Sequence, residues 1–315
     1  MRSLHGGLAY AALRILRALV TVWGVVTLVF LLVHVIPGDP IDAILGDQAS
    51  QEDRVALRRA LRLDQPLSSQ YVAFLRDTID GSFGHSFRQR DRQVSALINE
   101  VAPHTARLTV VSMLIALAIA LPLGILAAAR RGSIWDRSAS ALAMLGLAIP
   151  NIWLGPLLVL AFGVKLRWLP LPGDDPSTAA SLVLPALTVG TALTAVLARQ
   201  TRAAMIETLG QQYVLAATAR GLSRTRVLLG YGLRNALLPV LTVSAAQLSG
   251  LLSGAVITEK IFERPGIGTL FLEAFFDRDI PVVQGCVLVI ATVYVGVNLL
   301  LDIAYGLADP RVRLA

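Results

Sequence analysis

Apolar runs of about twenty residues recur along the chain, separated by short segments rich in arginine, glycine and acidic side chains. A run of that length crosses a hydrocarbon core as a helix. Six stretches qualify: 13–35, 105–128, 139–164, 182–198 with an extension toward 204, 236–258 and 282–307. Pro122, Pro150, Pro156, Pro185 and Pro239 fall in or beside these runs and predict kinks or breaks. The segment 36–104 is too long for a simple turn between the first two runs. Within it, Ser50, Gln51, Glu52 and Asp53 form a helix-start pattern before VALRRALRL, and SQYVAFLRDTI after Pro66 reads as a second amphipathic helix. Gly81, Phe83, Gly84 and Phe87 then predict a turn-rich return. No internal repeat or low-complexity linker divides the chain. It reads as one domain made of a tail and first span (1–35), an external helical loop (36–104) and a five-span core (105–315).

The most polar interruption is 198–241, ARQTRAAMIETLGQQYVLAATARGLSRTRVLLGYGLRNALLPVL. Within it, 213–221 predicts a short helix: Ala216, Ala217 and Ala219 favour it, Arg220 complements its last turn, and Gly221 stops it in a left-handed conformation. Ser223 then sits where it caps a second helix running toward Pro239. A helix, a sharp turn and another helix beside a bilayer form a docking knob.

Composition supports a membrane protein. The 315 residues are 55% hydrophobic and only 16% charged, against about a quarter charged in soluble domains. The net charge of +7 comes from arginines in short loops, which argues for membrane orientation and against nucleic-acid binding. Arg2, Arg14 and Arg17 flank the first run. Arg130, Arg131 and Arg137 follow the second against Asp136. Arg199, Arg202, Arg220, Arg224, Arg226 and Arg234 in 198–241, the organising loop of the chain, face Glu207 alone. The alternate segments are balanced or acidic: Lys165 and Arg167 meet Asp174 and Asp175, and Glu259, Glu263, Glu273, Asp277 and Asp279 outnumber Lys260, Arg264 and Arg278. Six spans with both termini cytoplasmic follow, with 199–235 as a cytoplasmic loop. The apolar core 18–35 is longer than a signal peptide's and no small-x-small site closes it, so it reads as a retained span. Cys286, the one cysteine, makes no intrachain disulfide or cysteine metal site.

Catalytic patterns are missing from the sequence. No Gly-x-x-x-x-Gly-Lys-Ser/Thr cradles nucleotide phosphates. Leu248-Ser249-Gly250 reads instead as small residues that let helices approach through Gly250 and Gly254. His5, His34, His85 and His104 lack metal spacing, no nucleophile elbow is present, and Ser244, Ser249 and Ser253 have no histidine in a facing span. Asp302, the one acid well inside a span, lies toward its end and is expected to pair with a loop arginine. The spans otherwise carry uncharged polarity: Asn151, Thr188, Thr191, Thr194, Thr242, Ser244, Gln247 and Asn298. These either bond helix to helix or line a wet path, for which the amides of Gln247 and Asn298 have most capacity.

Several motifs in order carry a resemblance over nearly the whole length: FLLVHVIPGDP (30–40), LRLDQPL (61–67), DGSFGHSFR (80–88), LPLGILAAARRGSIWDR (121–137), ATARGLSRTRVLLGYGLRNALLPVLT (217–242), ITEKIFERPGIGTLFLEAFFDRDIPVVQG (257–285) and DIAYGLADPRVR (302–313). The chain resembles the dipeptide/oligopeptide and nickel class of ABC-transporter permease subunits. The resemblance implies an all-α membrane protein with the six-span, MetI-like fold of type I importers, half of a dimeric channel in the bacterial inner membrane. It implies a coupling helix in which Ala216, Ala217 and Gly221 match the Ala, Ala and Gly of the "EAA" motif. Leu215 stands where that motif has Glu, and the following Leu-Pro arrives late, at Leu238-Pro239. The implied coupling set is Tyr213, Ala216, Ala217, Arg220, Gly221, Leu222 and Ser223, with Thr191, Ser244, Gln247 and Asn298 as path candidates and the PGIG turn (265–268) as a re-entrant feature. The implied partners are a second, related permease, two ABC ATPase subunits that bind ATP and Mg, an extracytoplasmic solute-binding protein, peptide substrate and membrane lipid. The chain itself is expected to hold no cofactor or metal. A permease for nickel or another small solute, a secondary transporter or channel, and an intramembrane hydrolase are the competing readings.

Overall fold

The computed structural model describes residues 2–35, 41, 50–60, 63–89 and 91–308. IPGDP (36–40) and DPRVR (309–313) lie outside the described residues, as do the side chains of Arg2, His5, His34, Ser249 and Ser253. The helices are α1 Arg2–Val35, α2 Gln51–Ala60, α3 Leu67–Ile79, α4 Val94–Ala129, α5 Ile134–Ala148, α6 Asn151–Leu158, α7 Ala180–Leu209, α8 Gln212–Ala219, α9 Arg224–Arg226, α10 Arg234–Ile261, α11 Ile267–Phe276 and α12 Ile280–Ala308. Two π-helical segments, π1 Val159–Lys165 and π2 Val227–Leu233, continue α6 and lead into α10.

Among the described residues five helices are long and apolar enough to cross a membrane: α1, α4, α7, the stretch Arg224–Leu248 and α12. The pair formed by α5 and Asn151–Lys165 is apolar enough to count as a sixth if taken together, but it is bent by 99°, the geometry of a broken span or a re-entrant loop. The bend has a local cause. Pro150 disfavours the helical conformation at the residue before it, and Ile149 is extended, with φ −87° and ψ 114°. The third apolar run is therefore two helices that meet at Ile149 and Pro150. α4 begins at Val94, well before the apolar run at 105–128, because its polar first turns continue the same helix.

The chain forms two compact units, Met1–Thr105 with Pro265–Ala315, and Ala106–Arg264. In the first, α1 packs along α12 and touches α3. Val26, Val29 and Leu288 are buried together, and Phe30 meets the rings of Tyr71 and Phe74 at 5.1 and 5.7 Å. The start of α4 (Val94, Leu97, Ile98) is buried with Ile267, Val282 and Cys286. Arg14 Nη1 donates to Asp302 at 2.7 Å. The span acid thus pairs with an arginine of the first helix, where a loop arginine was expected, because α1 lies against α12.

In the second unit α7 packs against α5, α6 and α10. Lipid gives little hydrophobic drive for helix association, so close approach at small residues matters most there. A Cβ added at Gly124 would lie 2.5 Å from Thr201 Cβ, and one at Gly146 would lie 3.2 Å from Thr191 O. Gly250, expected at such a contact, is exposed, and a Cβ there would meet nothing within 4 Å. The close approaches are made by α4 and α5 onto α7.

Candidate functional site

The organising loop folds as α8, a reversal, α9 and π2. Gln211 enters α8 extended, with φ −75° and ψ 147°, and the alanine-rich sequence carries the helix to Ala219. Its end is a Schellman turn: Gly221 N–H donates to Thr218 O at 3.0 Å and Leu222 N–H to Ala217 O at 3.4 Å. Gly221 has φ +79°, the left-handed conformation that a side chain disfavours. Ser223 does occupy the position before α9, but its hydroxyl makes no capping bond. The segment from Val227 is π-helical, and α10 continues through Pro239 to Ile261.

α8 presents two different edges. Val214 and Ala217 are buried, Ala217 only 3% exposed, and the helix touches α7 and π2. Tyr213, Ala216, Ala219 and Arg220 are exposed at helical spacing, and Leu215 is 60% exposed. Ala217 therefore seats the helix on its own chain, while Ala216 and Ala219 stay exposed. Leu222 is half-buried; Gly221 and Ser223 are exposed.

The base under α8 is held by contacts with no local signature. Ala128, Ala204, Met205 and Ala236 are buried together, with Leu209, Leu228 and Leu233 packed on them. Arg202 forks onto Asp136, Nε to Oδ1 at 2.6 Å and Nη2 to Oδ2 at 2.9 Å. Gly132 N–H donates to the same carboxylate at 2.9 Å. Arg202 is thus neutralised by an acid from the α4–α5 turn, so Glu207 is not the only acid serving this loop. Arg224 Nη2 donates to Ala129 O at 2.6 Å, satisfying a carbonyl in the last turn of α4 that has no helical donor. These contacts connect the loop to α4 and α5.

The span polars turn mostly to their own helices. Thr188, Thr191, Thr194, Thr242 and Ser244 each donate to the carbonyl four residues back, at 2.7–2.8 Å. Asn298 Nδ2 donates to Tyr294 O at 2.9 Å. These bonds hold neither helix to helix. Ser244 is buried, Thr191 is half-buried with its methyl near Gly146, and Gln247 and Asn298 are half-buried.

Two further polar centres were not singled out from sequence. Buried Asp279 accepts from Ser86 Oγ, from Phe87 N–H at 2.9 Å and from Arg88 N–H at 3.2 Å, fastening the turn-rich return to the start of α12. Arg264, also buried, donates to Ser181 O at 3.2 Å and Pro176 O at 3.0 Å. Burial pushes its guanidinium below the usual arginine range, and the nearby charge of Glu259 opposes that shift. Within the first unit the PGIG turn opens α11: Thr269 Oγ1 accepts from Gly266 N–H at 2.9 Å, and Ile267 N–H donates to Thr105 Oγ1 at 2.9 Å. No group of three or more metal-ligating side chains occurs among the described residues.

Comparison with known proteins adds to this geometry. The model for "Binding-protein-dependent transport system inner membrane component" matches residues 120–314, and its N-terminal companion matches 8–109. The chain belongs to this family. It is therefore a membrane permease component, and hydrolysis is the work of separate subunits. The di/tripeptide transport system permease DppB of Pseudomonas aeruginosa (strain UCBPP-PA14) is 38% identical, over 97% of this chain and 99% of that protein. The oligopeptide transport system permease AppB of Bacillus subtilis (strain 168) is 36% identical, over 97% and 99%. Among solved structures, an inward-facing MetNI methionine ABC transporter aligns with TM-score 0.56 and 18% identity, over 65% of this chain and 93% of that one. That likeness extends the family assignment to the fold: a MetI-like multi-pass permease.

Proposed function

We propose that this chain is one permease subunit of an ATP-driven importer of di- or oligopeptides, and that α8 is its coupling helix. The observation that carries the reading is the open edge of α8, Tyr213, Ala216, Ala219 and Arg220, held on a base bonded to α4 and α5. Peptide permeases at 36–38% identity over nearly the full length support the substrate class. The arginine distribution supports an orientation with both termini and α8 in the cytoplasm and 36–104 outside, in the bacterial inner membrane.

On this reading Tyr213, Ala216, Arg220, Gly221, Leu222 and Ser223 meet or position an ABC ATPase subunit, which binds ATP and Mg, and Ala217 holds the helix in place. Two such ATPases close on ATP and move the paired coupling helices, so that the spans turn from inward- to outward-facing as rigid bodies. Exposed Leu215, where the motif has an acid, offers the ATPase an apolar contact in place of a salt bridge. A second, related permease completes the path, and a solute-binding protein delivers peptide from outside. Gln247, Asn298 and Thr191 remain the path candidates, with Ser244 behind them.

The test is solute-stimulated ATP hydrolysis by the assembled complex. Ala216→Arg, on the open edge, and Gly221→Pro, at the reversal, are each expected to lower stimulation about tenfold, the equivalent of 1.4 kcal/mol of docking free energy. Unchanged stimulation in both variants would refute the coupling role. Stimulation by nickel complexes and not by peptides would replace the substrate class while leaving coupling intact.

A further inference from the structure

The turn between α4 and α5 with the first turn of α5, RRGSIWDR (130–137), contains three arginines and one acid. The structure separates them. Asp136 points inward, 5% exposed, and is occupied by Arg202 and by Gly132 N–H. Arg130, Arg131 and Arg137 are exposed, and no ion pair joins any of them to an acid among the described residues. The acid that balances this segment in a charge count is therefore bonded to Arg202 and not to these three arginines, of which Arg131 alone feels its charge from a distance.

That outer surface is amphipathic. Ile134 is 69% exposed and Trp135 53% exposed, and the Arg130 guanidinium lies 5.4 Å from the centre of the Trp135 ring. One helical face of α5 continues from Trp135 through Leu142 and Leu145, both exposed. An arginine cluster leading into a tryptophan and then into an open apolar face is the sequence of environments met on crossing from lipid headgroups into acyl chains. Arginine grips phosphate through a planar fork of donors, and the indole sits at headgroup level.

We infer that Arg130, Arg131, Arg137 and Trp135 form a binding surface for the phosphate of acidic phospholipids in the leaflet on the α8 side of the membrane. The occupant follows from charge complementarity and from continuity with the exposed apolar side of α5. The surface lies on the same turn whose Asp136 holds Arg202 under α8, so a bound acidic lipid steadies the base from which the proposed coupling helix projects. The inference rests on the orientation given under Proposed function only for the name of the leaflet; its test needs neither transport nor ATP.

The chain has four tryptophans. Replacing Trp23, Trp153 and Trp168 with Phe leaves Trp135 as the sole tryptophan of the full chain, which is purified and placed in phosphatidylcholine vesicles before any companion subunit is added. Brominated phosphatidylglycerol is expected to quench Trp135 more than brominated phosphatidylcholine at equal mole fraction. The preference should fall about fivefold for each arginine replaced by Gln and vanish in R130Q/R131Q/R137Q. R131Q/R137Q keeps the Arg130–Trp135 contact and so separates lost lipid from a displaced indole. Equal quenching by the two lipids in the parent chain overturns the inference, as does a preference that survives in the triple variant. Shielding of Trp135 from both lipids when ATPase subunits are present would instead make this a protein-facing surface.

Discussion

Asp136 and Asp279 are both buried carboxylates that fasten a turn, but they do so with different partners. Asp136 takes a charged fork from Arg202 and one backbone N–H. Asp279 takes a hydroxyl and two backbone N–H groups, with no cation directly bonded to it among the described residues. The difference sets what each can do. Arg202 has a side chain one-third exposed, so water can replace part of what Asp136 supplies, and the pair is expected to behave as an adjustable link between α7 and the first turn of α5. Asp279 is the acceptor shared by three consecutive residues of the turn-rich return, the hydroxyl of buried Ser86 and the part-buried N–H groups of Phe87 and Arg88. The first arrangement suits a part that carries motion, and the second a part that holds a fixed shape.

The largest expected effect is therefore at Asp279. Asp279→Ala leaves the buried Ser86 hydroxyl and the part-buried Phe87 and Arg88 N–H groups without their acceptor; a fully buried donor left so costs about 1–3 kcal/mol and a part-buried one less, so the loss is about 2–3 kcal/mol. It should appear as a lower thermal midpoint in detergent and as faster hydrogen exchange at the Phe87 and Arg88 amides. Asp136→Ala comes next, at about 1–2 kcal/mol, because the partner it leaves is partly solvated. Here a double-mutant cycle with Arg202→Ala should return most of that loss as coupling between the two residues. If Asp136→Ala proved the costlier change, or the cycle showed no coupling, the contrast between a fixed anchor and an adjustable link would fail.

The same contrast explains what could be read from the sequence. Six apolar runs were legible because the bilayer imposes a length on each span, and the stop at Gly221 was legible because a Schellman turn is built from adjacent residues. The start of α4 at Val94 was not, since Asn99, Glu100, His104 and Arg107 interrupt the apolar run without interrupting the helix. Long-range pairings were not legible either. Asp136 and Arg202 are 66 residues apart, and Asp279 and Ser86 are 193 apart, so nothing periodic or local announces them. Counting charges loop by loop even assigned Arg202 to the wrong balance. Gly250 had the local spacing for close helix approach, but the packing that selects such residues lies between elements, and among the described residues it falls at Gly124 and Gly146.

The smallest effect is expected at hydroxyls that depend on no other element. Ser244 is 6% exposed, a burial comparable to that of the two aspartates, yet its Oγ–H donates to Val240 O of the same helix at 2.8 Å. That carbonyl belongs to a helical turn that closes without the hydroxyl, and bonds of this kind add little and tend to bend the helix. Ser244→Ala removes donor and acceptor capacity together, strands no partner, and should change the thermal midpoint by no more than the equivalent of about 0.5 kcal/mol. Burial alone would predict a loss like that at Asp279, so a large loss would mean that depth of burial, and not the identity of the partner, governs these sites. Peptide uptake by the assembled complex gives the second reading. With stability unchanged, unchanged uptake keeps Ser244 behind the path, whereas reduced uptake would mean that the chain opens at α10 during transport and brings this hydroxyl to the solute.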